Sequence, residues 1–136
     1  MPAAAQGRGA RSAKAFVRYY VSAVNYAMSS GDVHLLNDLS TGECGSCAAV
    51  AENIAGVYSA GGHLSGKGWH ATAIKSVSRQ SARHPILLAG ILINPQTKVA
   101  KPGARPKHFT GGKSVMTFYL RRQDHGWAVF RWEQGT

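Results

Sequence analysis

The chain has 136 residues and a mass of 14.5 kDa, with 16 Lys+Arg against 6 Asp+Glu and two cysteines, which is the length of one domain. A domain of this size buries roughly two-thirds of its unfolded surface, so it needs neither a metal nor several disulfides to fold. An apolar content of 44% excludes a wholly disordered chain, and the longest apolar run, residues 85–93, is less than half the ~20 residues a spanning helix needs.

Residues 1–11 are rich in Ala, Gly and Arg and read as a flexible leader without the apolar core of a signal peptide; residues 12–136 read as one domain. Ser12 stands where it would cap a first helix over about 12–28. Phe16, Tyr20, Val24 and Met28 recur every four residues there, and Val17 and Val21 widen the stripe. Ser29-Ser30-Gly31 stops it, with Gly31 suited to a left-handed cap. Asp32 then caps a short helix carrying Leu35, Leu36 and Leu39. A third helix over about 46–59 aligns Cys47, Val50, Ala51, Ile54, Val57 and Tyr58 on one face and ends at Gly61-Gly62.

After Gly62 the pattern turns from helical to extended. Strands are expected over 69–79, 84–94, 114–122 and 127–133, with Asp124-His125-Gly126 as a short hairpin turn between the last two. The continuous apolar run over 86–93 marks a central strand. Residues 98–113 hold Pro102, Gly103, Pro106, Gly111 and Gly112 and are expected to form a loop. Helices and strands in separate runs imply an α+β fold, with three N-terminal helices packed on one face of a curved, mainly antiparallel four-stranded sheet.

No carboxylate occurs between Glu52 and Asp124, and that gap contains most of the basic residues, Arg79 and Arg83 among them. Lys98, Lys101, Arg105, Lys107 and Lys113 are the candidate anion-binding set. Such a field suits nucleic acid, phosphorylated envelope polymers or acidic membrane surfaces. Phe109 is the only aromatic platform among them, fewer than single-strand binders use. The gap also removes the paired carboxylates that much acid–base chemistry needs. Gly111-Gly112-Lys113-Ser114 is no phosphate loop, because its first glycine would fall at Pro106 or Lys107 and it leads into a strand.

The order helix–helix–helix–sheet resembles the cystatin-like cone of nuclear transport factor 2-like proteins. More narrowly, Ala15-Phe16-Val17-Arg18-Tyr19-Tyr20, Asn25-Tyr26-Ala27, Gly31-Asp32, Cys44-Gly45-Ser46-Cys47, Gly61-Gly62 and Gly68-Trp69 together resemble an actinobacterial lipoprotein family of unknown function. The resemblance is best over residues 15–70. It implies the fold and an envelope setting, and no activity.

Cys44 and Cys47 are spaced so that their sulfurs meet in the first turn of the third helix. Three chemistries fit: a structural disulfide, a redox dithiol, or half of a zinc site. Redox motifs of this type follow a βαβ segment, and His63 and His70 are too far apart for the usual zinc pairing. A disulfide is therefore expected, and with it an extracytoplasmic or envelope location. No metal or cofactor is expected.

A cone leaves room for a cavity between the first helix, the third helix and the sheet, with Tyr20, Tyr58 and His70 as candidate lining. His70 has the chemistry of a base, but Asp124 falls in a turn and Glu133 near the end of the last strand, leaving no orienting carboxylate. Filling by Phe16, Ile54 and Trp132 would close such a cavity. Trp127, Val129, Tyr119 and Val115 are expected on the face opposite Phe130, Trp132, Phe118 and Met116. Both faces of the sheet would then be apolar, which predicts a homodimer through the uncovered one. The leading functional reading is a non-enzymatic, envelope-associated or secreted interaction domain. Its alternatives are a small pocket enzyme of isomerase, dehydratase or cyclase type and a nonspecific nucleic-acid binder.

Overall fold

The computed structural model describes residues 1–7, 9–77, 84–124 and 126–135. Arg79, Arg83 and His125 lie outside them. Helices α1 (Ala10–Ser30), α2 (His34–Asp38) and α3 (Gly45–Ser59) come first, and the strands follow. They are β1 (His63–Gly66), β2 (Trp69–Ser76), β3 (Ile86–Ile93), β4 (Gln96–Val99), β5 (Lys107–Phe109), β6 (Gly112–Gln123) and β7 (Gly126–Gly135). No described helix is long and apolar enough to cross a membrane.

The expected α+β order holds, and its four strands form one antiparallel sheet in the order β2-β3-β6-β7. The apolar run of β3 is central, paired on both edges. Residues 98–113 are not the single loop expected. Lys98 and Val99 belong to β4 and residues 107–109 to β5, and with β1 these make a separate antiparallel sheet in the order β1-β4-β5. Strands this short, set among prolines and glycines, carry too few residues to show a period.

α1 buries Phe16, Val17, Tyr20, Val21, Val24 and Ala27, spaced three and four apart, against the four-stranded sheet. It begins two residues before Ser12, with Gly9 at its N-cap. Ser12 is not the cap: its hydroxyl donates to Gly9 O and accepts from Trp127 Nε1 at 2.9 Å, both inside the fold. The segment expected as a leader also packs. Ala3–Ala5 form a 3-10 turn, Ala5 is fully buried, and Gly7 O accepts from Arg122. A single buried alanine in a polar stretch leaves no sequence period to detect.

Gly31 ends α1 as expected, with φ +80° and its N–H on Ala27 O at 2.7 Å. A second reason for glycine is tertiary: a Cβ there would sit 2.5 Å from Tyr58 Cγ. The N-cap of α2 is Val33 rather than the expected Asp32, which stands one residue earlier and accepts from His34 N–H at 3.0 Å.

One irregularity redistributes the last strand. Tyr119 pairs with Arg131 but Leu120 pairs with Val129, so Phe130 is the extra residue of a β-bulge. A bulge reverses the side-chain alternation beyond it. Trp127, Val129 and Trp132 therefore all turn toward α1, together with Met116, Phe118 and Leu120. The expected division of these residues between two faces is corrected accordingly. The outer face carries Val115, Tyr119 and Phe130 instead.

Candidate functional site

Inside the fold, the space expected for a cavity is filled. Tyr20, Phe16 and Phe118 are fully buried, and Ile54 nearly so. Tyr20 meets Phe118 edge-on at 5.8 Å, Phe118 meets Trp132 at 6.4 Å, and Trp132 meets Trp69 edge-on at 6.1 Å. These contacts form a continuous aromatic layer between α1 and the sheet. Burial pushes the Tyr20 phenol well above its ordinary range, and the Trp132 indole offsets this only in part. The indole approaches without reaching hydrogen-bond geometry, so Tyr20 Oη and Trp132 Nε1 are both buried without a partner.

Tyr58 does not line a cavity. Its hydroxyl donates to Met28 O at 2.5 Å and accepts from Leu64 N at 3.2 Å, joining α3 to the end of α1 and to β1. His70 is exposed and lies on the opposite face of the sheet from α1. Its neighbours Trp69 and Ala71 take the inward positions, and His70 pairs with Leu92 on the outer face. The three candidate pocket residues thus separate into a core residue, a tether and a surface residue.

Cys44 and Cys47 form the expected disulfide, with Cα atoms 5.2 Å apart and exposures of 1% and 2%. Cys44 is the N-cap of α3, and its sulfur accepts from Cys47 N. Ser46, between them, donates from Oγ to Trp132 O at 2.8 Å and accepts from Trp132 N, fastening the start of α3 to β7. No described group of His, Cys, Asp or Glu has the arrangement of a metal site.

The other residues that carried the family resemblance also serve the scaffold. Asn25 donates to Trp69 O and accepts from Trp69 N, both at 2.8 Å, acting as a short strand partner for the start of β2. Gly68 makes room for this contact, since a Cβ there would lie 2.3 Å from Asn25 Oδ1. Arg18, from the next turns of α1, donates to Ala71 O beside the irregularity in β2.

Three outward surfaces remain. The outer face of the four-stranded sheet exposes Leu88 (39%) and Val115 (45%), beside Leu92, Tyr119 and Phe130. Arg121 stacks over Phe130 and Arg131 over Tyr119, each at 4.8 Å. A second surface gathers half of the chain's acids: Asp38, Glu43 and Asp124 line a hollow of about 640 Å³ together with Arg121, which pairs with Glu43.

The third lies between α3 and the three-stranded sheet, where Val50, Ile54, Val57, Leu64 and Phe109 line a slot of about 250 Å³ with Lys98 at its edge. Of the candidate anion-binding residues, Lys98 is half-buried in β4 and Lys107 exposed in β5. Lys101 and Arg105 are exposed in the connection between those strands, and Lys113 is exposed at the start of β6. Met28, Val50 and Gln96 were not legible as site residues. The sequence places them on three separate elements, and only the meeting of α1, α3 and the three-stranded sheet around the slot unites them.

Three helices laid on an antiparallel sheet in this order make a cystatin-like, nuclear transport factor 2-like α+β fold. The similarity to solved structures bears this out. A nuclear transport factor 2-like protein with a cystatin-like fold from Novosphingobium aromaticivorans superposes with a TM-score of 0.55 at 15% identity, over 89% of this chain and 79% of that one. A candidate aromatic ring hydroxylase from the same organism superposes with a TM-score of 0.55 at 15% identity, over 89% and 86%. The intermembrane-space region of the chloroplast protein ARC6 reaches a TM-score of 0.70 at 10% identity, over 93% of this chain and 95% of that one. The chain itself belongs to DUF6318, a family of unknown function whose model matches residues 1–131. No curated protein matches it in sequence.

Proposed function

We propose that this protein is a non-enzymatic, extracytoplasmic or envelope-associated interaction domain that binds through its outside. The observation that carries the reading is the closed interior: Tyr20, Phe118 and Trp132 occupy the space where a pocket enzyme would hold substrate, while apolar and cationic side chains face outward. The buried disulfide favours an oxidising compartment, and the likeness to an intermembrane-space region is compatible with one. The resemblance of residues 15–70 to a lipoprotein family fits an envelope setting.

The partner of the outer sheet face is a second copy. Leu88, Leu92 and Val115 form an apolar strip that a two-fold contact would cover, and Arg121 and Arg131 flank its aromatic side. Light scattering at tens of micromolar tests this. A dimer that Leu88→Glu or Val115→Glu converts to monomer supports the contact; a wild-type monomer rejects it. The basic end, with Lys98, Lys101, Arg105, Lys107 and Lys113, is the surface for a polyanion or an acidic envelope partner. Binding of polyphosphate that weakens steeply with salt is the expected result.

The candidate hydroxylase among the structural neighbours is the ground for an enzymatic alternative. Against that alternative, His70, the base expected for it, faces out of the fold. For location, the test is alkylation in the native host: cysteines that react freely without a reductant would reject the extracytoplasmic reading.

A further inference from the structure

The face of the three-stranded sheet turned toward α3 carries an unusual pairing. In the register of β4 and β5, Lys98 stands directly opposite Lys107, and Gln96 opposite Phe109. Directly opposed side chains on antiparallel strands are close neighbours, and like charges there are destabilising. Among the described residues neither lysine forms an ion pair. Glu52 lies across a shallow hollow from Lys98, on the far side of α3's edge, without reaching it. Lys107 instead places its ammonium 5.1 Å from the centre of the ring of Phe109, a residue that lines the apolar slot. Two lysines without an ion pair thus stand on neighbouring strands beside a groove whose floor is Val50, Ile54, Val57 and Leu64, Lys98 at its edge and Lys107 over Phe109.

We propose that this slot binds the single chain of an aliphatic carboxylate, with the tail on α3 and the carboxylate between Lys98 and Lys107. The inference deepens the anion-binding reading of the basic end and rests on it. Charge complementarity selects an anion, since a carboxylate between the two lysines relieves their repulsion. The floor selects the tail. A peptide laid in the slot would turn its backbone N–H and C=O groups toward aliphatic side chains that offer no hydrogen bonds. Asn53 and Gln96 are the polar side chains within reach besides Lys98. A fatty-acid chain has polar atoms only at the end where the lysines stand. A larger hollow of about 520 Å³ shares Met28, Leu64 and Gln96 with the slot as wall residues. Gln96 Nε2 contacts Met28 Sδ at 3.2 Å between the two. A longer chain would reach that hollow by parting this contact.

The test is titration of the full chain with sodium octanoate, decanoate and dodecanoate below their micellar concentrations, followed by methyl NMR and calorimetry. Saturable shifts at Ile54, Val57 and Leu64 are expected, with affinity rising about fourfold per added methylene. Dodecyltrimethylammonium, with the same tail and the opposite head, should not bind. The double variant Lys98→Gln/Lys107→Gln should bind dodecanoate at least tenfold more weakly, while Lys75→Gln, at an exposed position of β2 in the other sheet, binds as wild type. Val57→Glu, which puts a charge on the floor, should abolish binding, with circular dichroism confirming that it remains folded.

Absence of saturable shifts, equal binding of the cationic amphiphile, no chain-length dependence, or an unaffected double variant would each overturn the proposal. Tighter binding of an acidic, leucine-containing peptide at the same methyls would overturn it in favour of a protein partner. Inorganic polyphosphate separates the two readings. If polyphosphate binds and dodecanoate does not, the slot fails and the wider anion surface stands; if neither binds, both fail.

Discussion

The four-stranded and three-stranded sheets differ most in what their strands bury. In β3 and β6 every second side chain is buried, from Leu87, Ala89 and Ile91 to Met116, Phe118 and Leu120. In β1 only Leu64 is partly covered, and all three residues of β5 are exposed. The large sheet has α1 laid on its inner face, with the aromatic layer of Tyr20, Phe118 and Trp132 between them. The small sheet meets α3 through a groove rather than a packed layer. One sheet therefore supplies stability and the other presents surface. On the proposed reading, folding free energy and anion recognition occupy different ends of the molecule, which would let the basic end vary without unfolding the core.

Substitutions sharpen this contrast, beginning where the effect is largest. Phe118→Ala should cost about 3–5 kcal/mol in urea unfolding, because it opens a cavity in the aromatic layer. Lys107→Ala in β5 should change stability by less than about 0.5 kcal/mol. Similar losses at the two positions would break the comparison. Gly31→Ala should cost roughly 1–3 kcal/mol, from the left-handed backbone it must keep, with the Tyr58 ring adding to the loss.

Removing the disulfide with Cys44→Ser and Cys47→Ser should lower stability by about 2 kcal/mol, the small value belonging to a short loop. Tyr20→Phe is expected to leave stability unchanged or raise it by up to about 1 kcal/mol, since its hydroxyl is buried without a partner. Its pH signature is separate. Burial raises the phenol above its ordinary value of 10.0, so the folded chain holds that proton more tightly than the unfolded one. The Tyr20 contribution is therefore full below about pH 10 and declines as pH rises further, and Tyr20→Phe should remove that slope from alkaline unfolding curves. Amide exchange gives the finest reading. Protection should be highest in β3 and β6 and lowest in β5, and uniform protection would show that the two sheets unfold as one unit.

The sequence by itself determined the helices, the glycine that stops the first of them, the cysteine pairing, the central strand and the final hairpin. Each of these rests on neighbours within a few residues: an apolar stripe repeating every three or four positions, a left-handed cap, a two-residue spacer, an unbroken aliphatic run. Only the tertiary structure decided which way side chains point from β7, where Phe130 as one extra residue turns Trp132 inward, and from β2, where Ala71 and Trp69 take the core and leave His70 outside. It also decided that Gln96, Lys98 and Lys107 belong to a second sheet and that Ala5 is buried. These outcomes depend on hydrogen bonds between residues far apart in the chain, and no local period records which partner a short strand will meet.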